Sequence, residues 1–333
     1  MRRGLRLIAP FIPPWRHAHQ RKLLIQLFAA GVTTAALALL VSNIVANLEA
    51  RGVHTGFRFL TQRAGFQITP ALIPFNEDGS FGRAFLAGLL NTVLVTALAI
   101  PLASGLGLAL GLLGLARTTL IRGLARLYVE IVRNIPPIIQ LFFVYFVVLR
   151  SLPPPRQSRR LLDLIFLNNR GLYLPLPGWS WDIPQLRGFN IAGGVNLGPE
   201  LLALVTTLAI YQAAYIAETI RSGLGAVPAG QAEASHALGL TRWQSLRLVV
   251  LPQALHVIRP PLTTIYVNTL KGSTLAAAIA YPDLVSVFAG TVLNLTGQAL
   301  EIMLVTGAAY LALSALISAL MQLGDRRAPA EGR

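Results

Sequence analysis

Cysteine is absent from this 333-residue chain. Disulfides, thiolate nucleophiles, zinc–thiolate sites and iron–sulfur clusters are therefore excluded. Charge is scarce as well. Asp, Glu, Lys and Arg together make up 12% of residues, about half the share found in an ordinary soluble domain. So little charge cannot coat the two soluble domains that the length would otherwise suggest. Acidic residues are few and scattered, and the five His show no metal-ligand spacing. A membrane-embedded enzyme would need such residues clustered near one face. A phosphate-binding G-x-x-x-x-G-K-[ST] loop is also missing. Lys271-Gly272-Ser273-Thr274 has no glycine loop before it, so the chain should not bind or hydrolyse ATP itself.

What is present is apolar. Hydrophobic residues reach 54%, and they fall in runs long enough to cross a bilayer, which needs about 20 residues. Six spans are expected: Leu23–Leu48, Ala84–Ala116, Tyr128–Leu149, Leu201–Ala217, Pro260–Pro282 and Ile302–Gly324. Pro136-Pro137 should bend the third. The expected fold is all-α and polytopic. Net charge is +15, carried by 26 Arg and only 2 Lys. These residues lie between apolar spans, with no basic stripe interleaved with aromatics. They read as contacts to lipid headgroups and as topology signals, not as a nucleic-acid surface.

The first span follows a basic segment, Arg2, Arg3, Arg6, Arg16, Arg21 and Lys22. Its apolar core is too long for a cleaved signal peptide, and Glu49-Ala50-Arg51 makes a poor cleavage site. It reads as an uncleaved helix with a cytoplasmic N-terminus. Six alternating spans then place both termini inside. Basic residues are about twice as dense on the inner segments as on the outer ones, in line with the positive-inside rule. The exception is Arg150 to Arg187, which puts six Arg on the outer side. The expected organisation is residues 1–84 as basic N-terminus, first helix and outer segment. Residues 85–325 follow as the main membrane domain, with an outer insertion at 151–198 and an inner loop at 222–259. Residues 326–333 form an inner tail. The insertion holds Pro153-Pro154-Pro155, Trp179 and Trp181 and lacks any spanning run. No internal repeat is visible.

The inner loop is the informative segment. Pro228 suits a first helical turn, and Ala229 to Leu238 are helix formers with several small residues. Gly239 is placed to end that helix in a left-handed conformation. Thr241 with Gln244 three residues later reads as a capping box. Trp243, Leu246, Val249 and Val250 follow at helical spacing, and a stop is expected near Leu251-Pro252. The result is two short helices with a glycine hinge, a compact docking element.

Glu233-Ala234-Ser235, then Gly239, then Leu251-Pro252, resembles the EAA loop of ABC-importer permeases. Ser235 replaces the usual second Ala. Phe85 to Thr92, Tyr128 to Phe146, Ala214 to Glu218 and Asn268 to Lys271 resemble permeases for polar amino acids. The extra first helix, Thr61 to Phe66 and Leu167 to Leu172 resemble the general L-amino acid transporter permeases. The resemblance implies a permease core of five spans plus one extra helix, in a bacterial inner membrane. It implies coupling through Glu233, Ala234, Ser235, Gly239, Leu251 and Pro252 to a separate cytoplasmic ATPase, which holds ATP and Mg. It also implies a second, related permease chain and a periplasmic amino-acid-binding protein.

Candidate path residues come from the cost of burying polar groups in a bilayer. They are Asn91, Gln140, Gln212, Asn268 and Lys271. Each can also simply join helices, and Lys271 can pair with a carboxylate or with carbonyls near Gly272. Glu130 with Arg133, and Glu218 with Arg221, have the spacing of intrahelical pairs. The alternative is a secondary amino acid transporter driven by an ion gradient. It lacks its usual inverted repeats here, and the docking loop has no role in it.

Overall fold

The computed structural model describes residues 14–50, 56–162, 164–176 and 182–325. Arg2, Arg3, Arg6, Trp179, Trp181, Arg326 and Arg327 lie outside them. The chain divides into two units, Met1–Gly56 and Phe57–Arg333. The first contains helix α1, Pro14–Ala50, and its apolar side chains, such as Leu27 and Phe28, are exposed. Phe59 and Ala64 pack into the second unit beside Phe81, Leu284, Phe288 and Ile302.

The second unit is built on helices. Helix α2, Phe81–Leu113, starts where the Ser80 hydroxyl accepts the Arg83 N–H at 3.2 Å. At 1.5 Å per residue it is about 50 Å long. Helix α3, Thr119–Asn134, and α4, Pro137–Phe142, meet at Ile135-Pro136 with a bend of 101°. Proline removes a donor and excludes helix from the residue before it, so the expected bend is realised. The expected span at Tyr128–Leu149 is thus two pieces and begins earlier, at Thr119. Helix α4 continues as a wide π-helical turn, Phe143–Leu149.

The insertion at 151–198, expected on the outer side, carries the strands of the described residues. A four-stranded antiparallel sheet is formed in the order β1 (Arg159–Leu161), β2 (Ile165–Asn168), β3 (Gly171–Leu174) and β6 (Val195–Leu197). Strands β4 (Gln185–Arg187) and β5 (Asn190–Ala192) make a separate hairpin. Phe166, Tyr173 and Ile191 form its small core.

Helix α5, Pro199–Gly225, follows and carries the expected span past Glu218 and Arg221. Helices α6 (Ala229–Ala237) and α7 (Arg242–Ser245) form the loop expected on the inner side. Helix α8 is Leu251–Gly272, continued by a tight 3₁₀ segment, Ser273–Ile279. A second wide-turn helix, Val285–Val292, runs into α9, Leu293–Thr296. Helix α10, Ala299–Asp325, closes the chain.

Among the described residues, four helices are long and apolar enough to span a bilayer, and the bent α3–α4 pair makes a fifth. The fifth expected span, Pro260–Pro282, is corrected. Its helix is α8, which starts nine residues earlier and ends at Gly272. Arg259, Asn268 and Lys271 keep it more polar than a lipid-facing span. The segment that follows is helical, Val285–Val292 and Leu293–Thr296. Phe288 packs edge-on against Phe85 with ring centroids 5.1 Å apart.

Helices α2 and α5 form the central seam. Ala99, Ala103, Gly107 and Gly111 recur every fourth residue and are all buried. Gly107 and Gly111 meet the face of α5 that carries Ala213, Ile216, Ala217 and Ile220. A Cβ at Gly107 would lie 2.6 Å from Ile216 and 3.0 Å from the Ala213 carbonyl. Small residues allow this approach, which is how membrane helices gain packing contact without a hydrophobic driving force. Gly105 on the same helix has open space around it. Gly107→Ala should therefore cost about 1–3 kcal/mol through overpacking, read as a lower apparent melting temperature in detergent. Gly105→Ala should be neutral or slightly stabilising, because alanine favours helix over glycine.

Candidate functional site

The inner loop is held in shape by local hydrogen bonds that its sequence encodes. Gly239 adopts φ +83°. Its N–H reaches the His236 carbonyl at 2.9 Å, and the Leu240 N–H reaches the Ser235 carbonyl at 3.1 Å. That pattern is a Schellman ending, as expected for this glycine. The capping box is also present: the Gln244 N–H donates to the Thr241 hydroxyl at 3.3 Å, and the Thr241 N–H donates to the Gln244 amide oxygen at 2.9 Å. Pro228 stands one position before α6, not in its first turn.

The expected stop at Leu251-Pro252 does not occur. A π-helical turn, Leu246–Val250, joins α7 to α8 without a break, and the Leu251 N–H bonds back to the Leu246 carbonyl. The wider turn is where the missing Pro252 N–H is accommodated, so Leu251 and Pro252 open the long helix instead of ending a short one. At the base of the loop, Gly223 lets α8 close on α5. A Cβ there would lie 2.2 Å from Ile258.

Ser235 does more than preserve small size. It is buried, and its hydroxyl is hydrogen-bonded to the Ala232 carbonyl at 2.7 Å and to the Ser245 hydroxyl at 2.5 Å. An alanine at this position could not make the second link, which ties α6 to α7. Glu233 and Ala234 point outward and are exposed. Beside them stand two large apolar side chains, Leu238 at 84% exposure and Trp243 at 66%. Leu238 was missed in the sequence. The signal available was a large apolar residue directly before the helix-ending glycine of a short polar helix.

Two cavities flank Glu218. The first, about 400 Å³, is lined by Arg133, Tyr215, Glu218, Ser222, Val257 and Pro261, among others. The second, about 420 Å³, lies against Gly111, Arg126, Glu130, Arg133 and Arg221 and also touches Glu218. The Glu218–Arg221 pair is formed, with the guanidinium bidentate on the carboxylate at 2.9 and 2.5 Å. The Glu130–Arg133 pair is not formed among the described residues. Arg133 instead sits 4.9 Å above the Tyr215 ring, a cation–π contact. Arg133, Tyr215 and Glu218 thus face one space, an association that spacing within single helices could not reveal.

The candidate path residues divide. Asn91 is buried, and its amide donates to the Pro70 and Pro282 carbonyls, each at 2.9 Å. It ties the segment before α2 to the one after α8. Gln140 donates to the Val132 and Ile135 carbonyls at 2.9 Å, satisfying groups freed by the α3–α4 break. Gln212 is buried on α5. Asn268 and Lys271 are exposed on α8 with Thr264 on the same face, while Ile265, Thr269 and Leu270 are buried on the other. Lys271 has no ion pair among the described residues.

Residues 99–328 match the family described as binding-protein-dependent transport system inner membrane component. The chain belongs to that family: it is a multi-pass permease subunit of an ABC importer, and ATP hydrolysis is the task of a separate subunit. The putative amino-acid ABC transporter permease protein YhdX of Escherichia coli K12 is 44% identical, with 92% of this chain and 94% of that protein aligned. The general L-amino acid transport system permease protein AapQ of Rhizobium johnstonii is 39% identical over 84% of this chain and 85% of its own length. A crystal structure of an amino acid ABC transporter with histidines superposes with a TM-score of 0.55 at 27% identity, covering 74% of this chain and 95% of that one.

The hydroxyl link across the loop is testable. Ser245→Ala removes the hydroxyl with little change of volume and leaves Ser235 without this partner. A net hydrogen bond of this kind is worth about 1 kcal/mol. Amide exchange across residues 229–245 should rise several-fold, while exchange in α2 stays unchanged.

Proposed function

We propose that this chain is the membrane-spanning subunit of an importer that carries L-amino acids across the bacterial inner membrane. Both termini face the cytoplasm, and the loop between α5 and α8 receives a cytoplasmic ATPase that holds ATP and Mg. A second, related permease chain completes the path, and a periplasmic binding protein delivers the amino acid. The observation that carries this reading is the docking element itself. Leu238 and Trp243 stand exposed on a platform fixed by a Schellman ending, a capping box and a buried serine pair. Exposed large apolar side chains on a rigid support are what an interface anchor requires. An ion-gradient transporter has no use for such an element.

The path reading rests on α8. Thr264, Asn268 and Lys271 form an exposed polar stripe on a helix that passes between spans. Lipid is a poor neighbour for a lysine and an amide. A water-lined path or the second permease chain is a better one, and an amino acid's carboxylate suits the Lys271 ammonium. ATP-driven movement of the loop then changes which side the path opens to, and substrate biases that equilibrium only through different affinity for the two states.

Variants separate the two roles. Leu238→Ala with Trp243→Ala should lose the ATPase on co-purification and lose uptake, with normal membrane insertion. Lys271→Met should keep the ATPase and lower uptake of radiolabelled amino acid at least about tenfold, the loss expected for one desolvated charged contact. Retained ATPase and uptake in the first variant would remove the coupling role of the loop.

Orientation is checked with single cysteines in a chain that has none of its own. A cysteine replacing exposed Gln185 should react with an impermeant maleimide in intact cells. One replacing exposed Ala229 should react only after permeabilisation. The reverse pattern inverts the topology.

A further inference from the structure

The outer insertion carries a charge that the topology does not explain. Basic residues favour the inner side of membrane proteins, yet exposed Arg156, Arg159, Arg160, Arg170 and Arg187 all lie in this one insertion. Three of them converge on one point, the turn of the β4–β5 hairpin. Arg187 ends β4 and is paired in register with Asn190. The Arg170 guanidinium donates to the Asn190 side-chain oxygen. The Arg156 guanidinium lies 3.9 Å from the centre of the Phe189 ring.

The turn itself is Gly188-Phe189, with Gly188 at φ +61°. A two-residue turn of this kind holds its strands in one register. Phe189 is therefore presented at a fixed tip, and it is 71% exposed. Among the described residues, no carboxylate pairs with Arg156, Arg170 or Arg187. The nearby Asp182 carboxylate accepts the Gly194 N–H at 2.9 Å. The site is an exposed apolar tip with three arginines at or beside its turn, none with a carboxylate partner among the described residues.

We infer that this hairpin tip is a docking site for an acidic protein surface, namely the carboxylate-bearing face of the periplasmic binding protein that delivers the amino acid. The inference rests on the importer reading and on the outer position of the insertion. Arginine forks bind carboxylates in bidentate fashion, and an aromatic ringed by Arg has the composition of a protein-interface anchor. Anchoring at the lipid interface instead favours Trp and Tyr, neither of which is at this tip among the described residues. The three charges also steer an acidic partner toward the mouth of the path before contact.

The test uses the complete importer in nanodiscs, titrated with its own binding protein loaded with amino acid, with ATPase stimulation as readout. For R156Q/R170Q/R187Q combined, the half-saturating concentration should rise roughly tenfold or more, and its salt dependence should flatten. Maximal stimulation and basal ATPase should be unchanged. Phe189→Ala removes only an exposed side chain and should raise the half-saturating concentration without altering the salt dependence. Unchanged half-saturation in both variants overturns the inference. So does unchanged half-saturation with activity that falls only when phosphatidylglycerol is present, which assigns the arginines to lipid headgroups. A wild-type importer that no binding protein stimulates overturns the importer reading itself, and this inference with it.

Discussion

The seam between α2 and α5 is the contact on which the rest of the permease depends. Ala99, Ala103, Gly107 and Gly111 of α2 are all buried, and at Gly107 and Gly111 the two helices come close. In a bilayer such contact is earned by fit, since lipid offers no hydrophobic penalty to escape. Everything else is placed by reference to this pair. The α3–α4 break packs on α5 from one side: the Tyr128 hydroxyl donates to the Ile210 carbonyl at 2.9 Å and Tyr145 to the Glu200 carboxylate at 2.8 Å. Helix α8 closes on α5 through Gly223. One end of the bundle is closed by the aromatic group around Phe59, Phe81 and Phe288.

This arrangement explains why charge concentrates where it does. Glu218 and Arg221 extend α5 beyond the apolar stretch, and Arg133 reaches them from the break in α3. These groups sit beside cavities and not inside the seam, so their desolvation is partial. The docking loop hangs directly from the same ends of α5 and α8. The chain from Arg242 to Gly272 is helical without a break, and α8 borders the first cavity through Val257 and Pro261.

The features legible in the sequence were those governed by near neighbours. Gly239, Thr241 with Gln244, and Pro136 each act through backbone groups at most five residues away, and each is found as expected. The features that were not legible depend on partners far along the chain. Ser235 reads as a small residue until Ser245 is placed beside it. Asn91 reads as a path residue until Pro70 and Pro282 fill its two donors. Arg133 reads as the partner of Glu130 until Tyr215 arrives from another helix. The β insertion was illegible for a different reason: strands of three or four residues, rich in Asn, Gly and Pro at their ends, carry too little alternation to stand out from loop. The frame of α8 was lost because its polar stripe breaks the apolar run that a hydropathy window follows.

The wide π-helical turns have a consequence for motion. They occur at Phe143–Leu149, Leu246–Val250 and Val285–Val292, each joined to a helix that carries candidate function or outer packing. A π turn holds one residue more than an α turn. Moving that surplus by one position trades one backbone hydrogen bond for another and leaves their number unchanged. The stretch it passes turns by about 100° about the helix axis. Rotation of a helix face can therefore occur without unwinding, which in a medium free of water is the least costly way for a buried backbone to change what it shows.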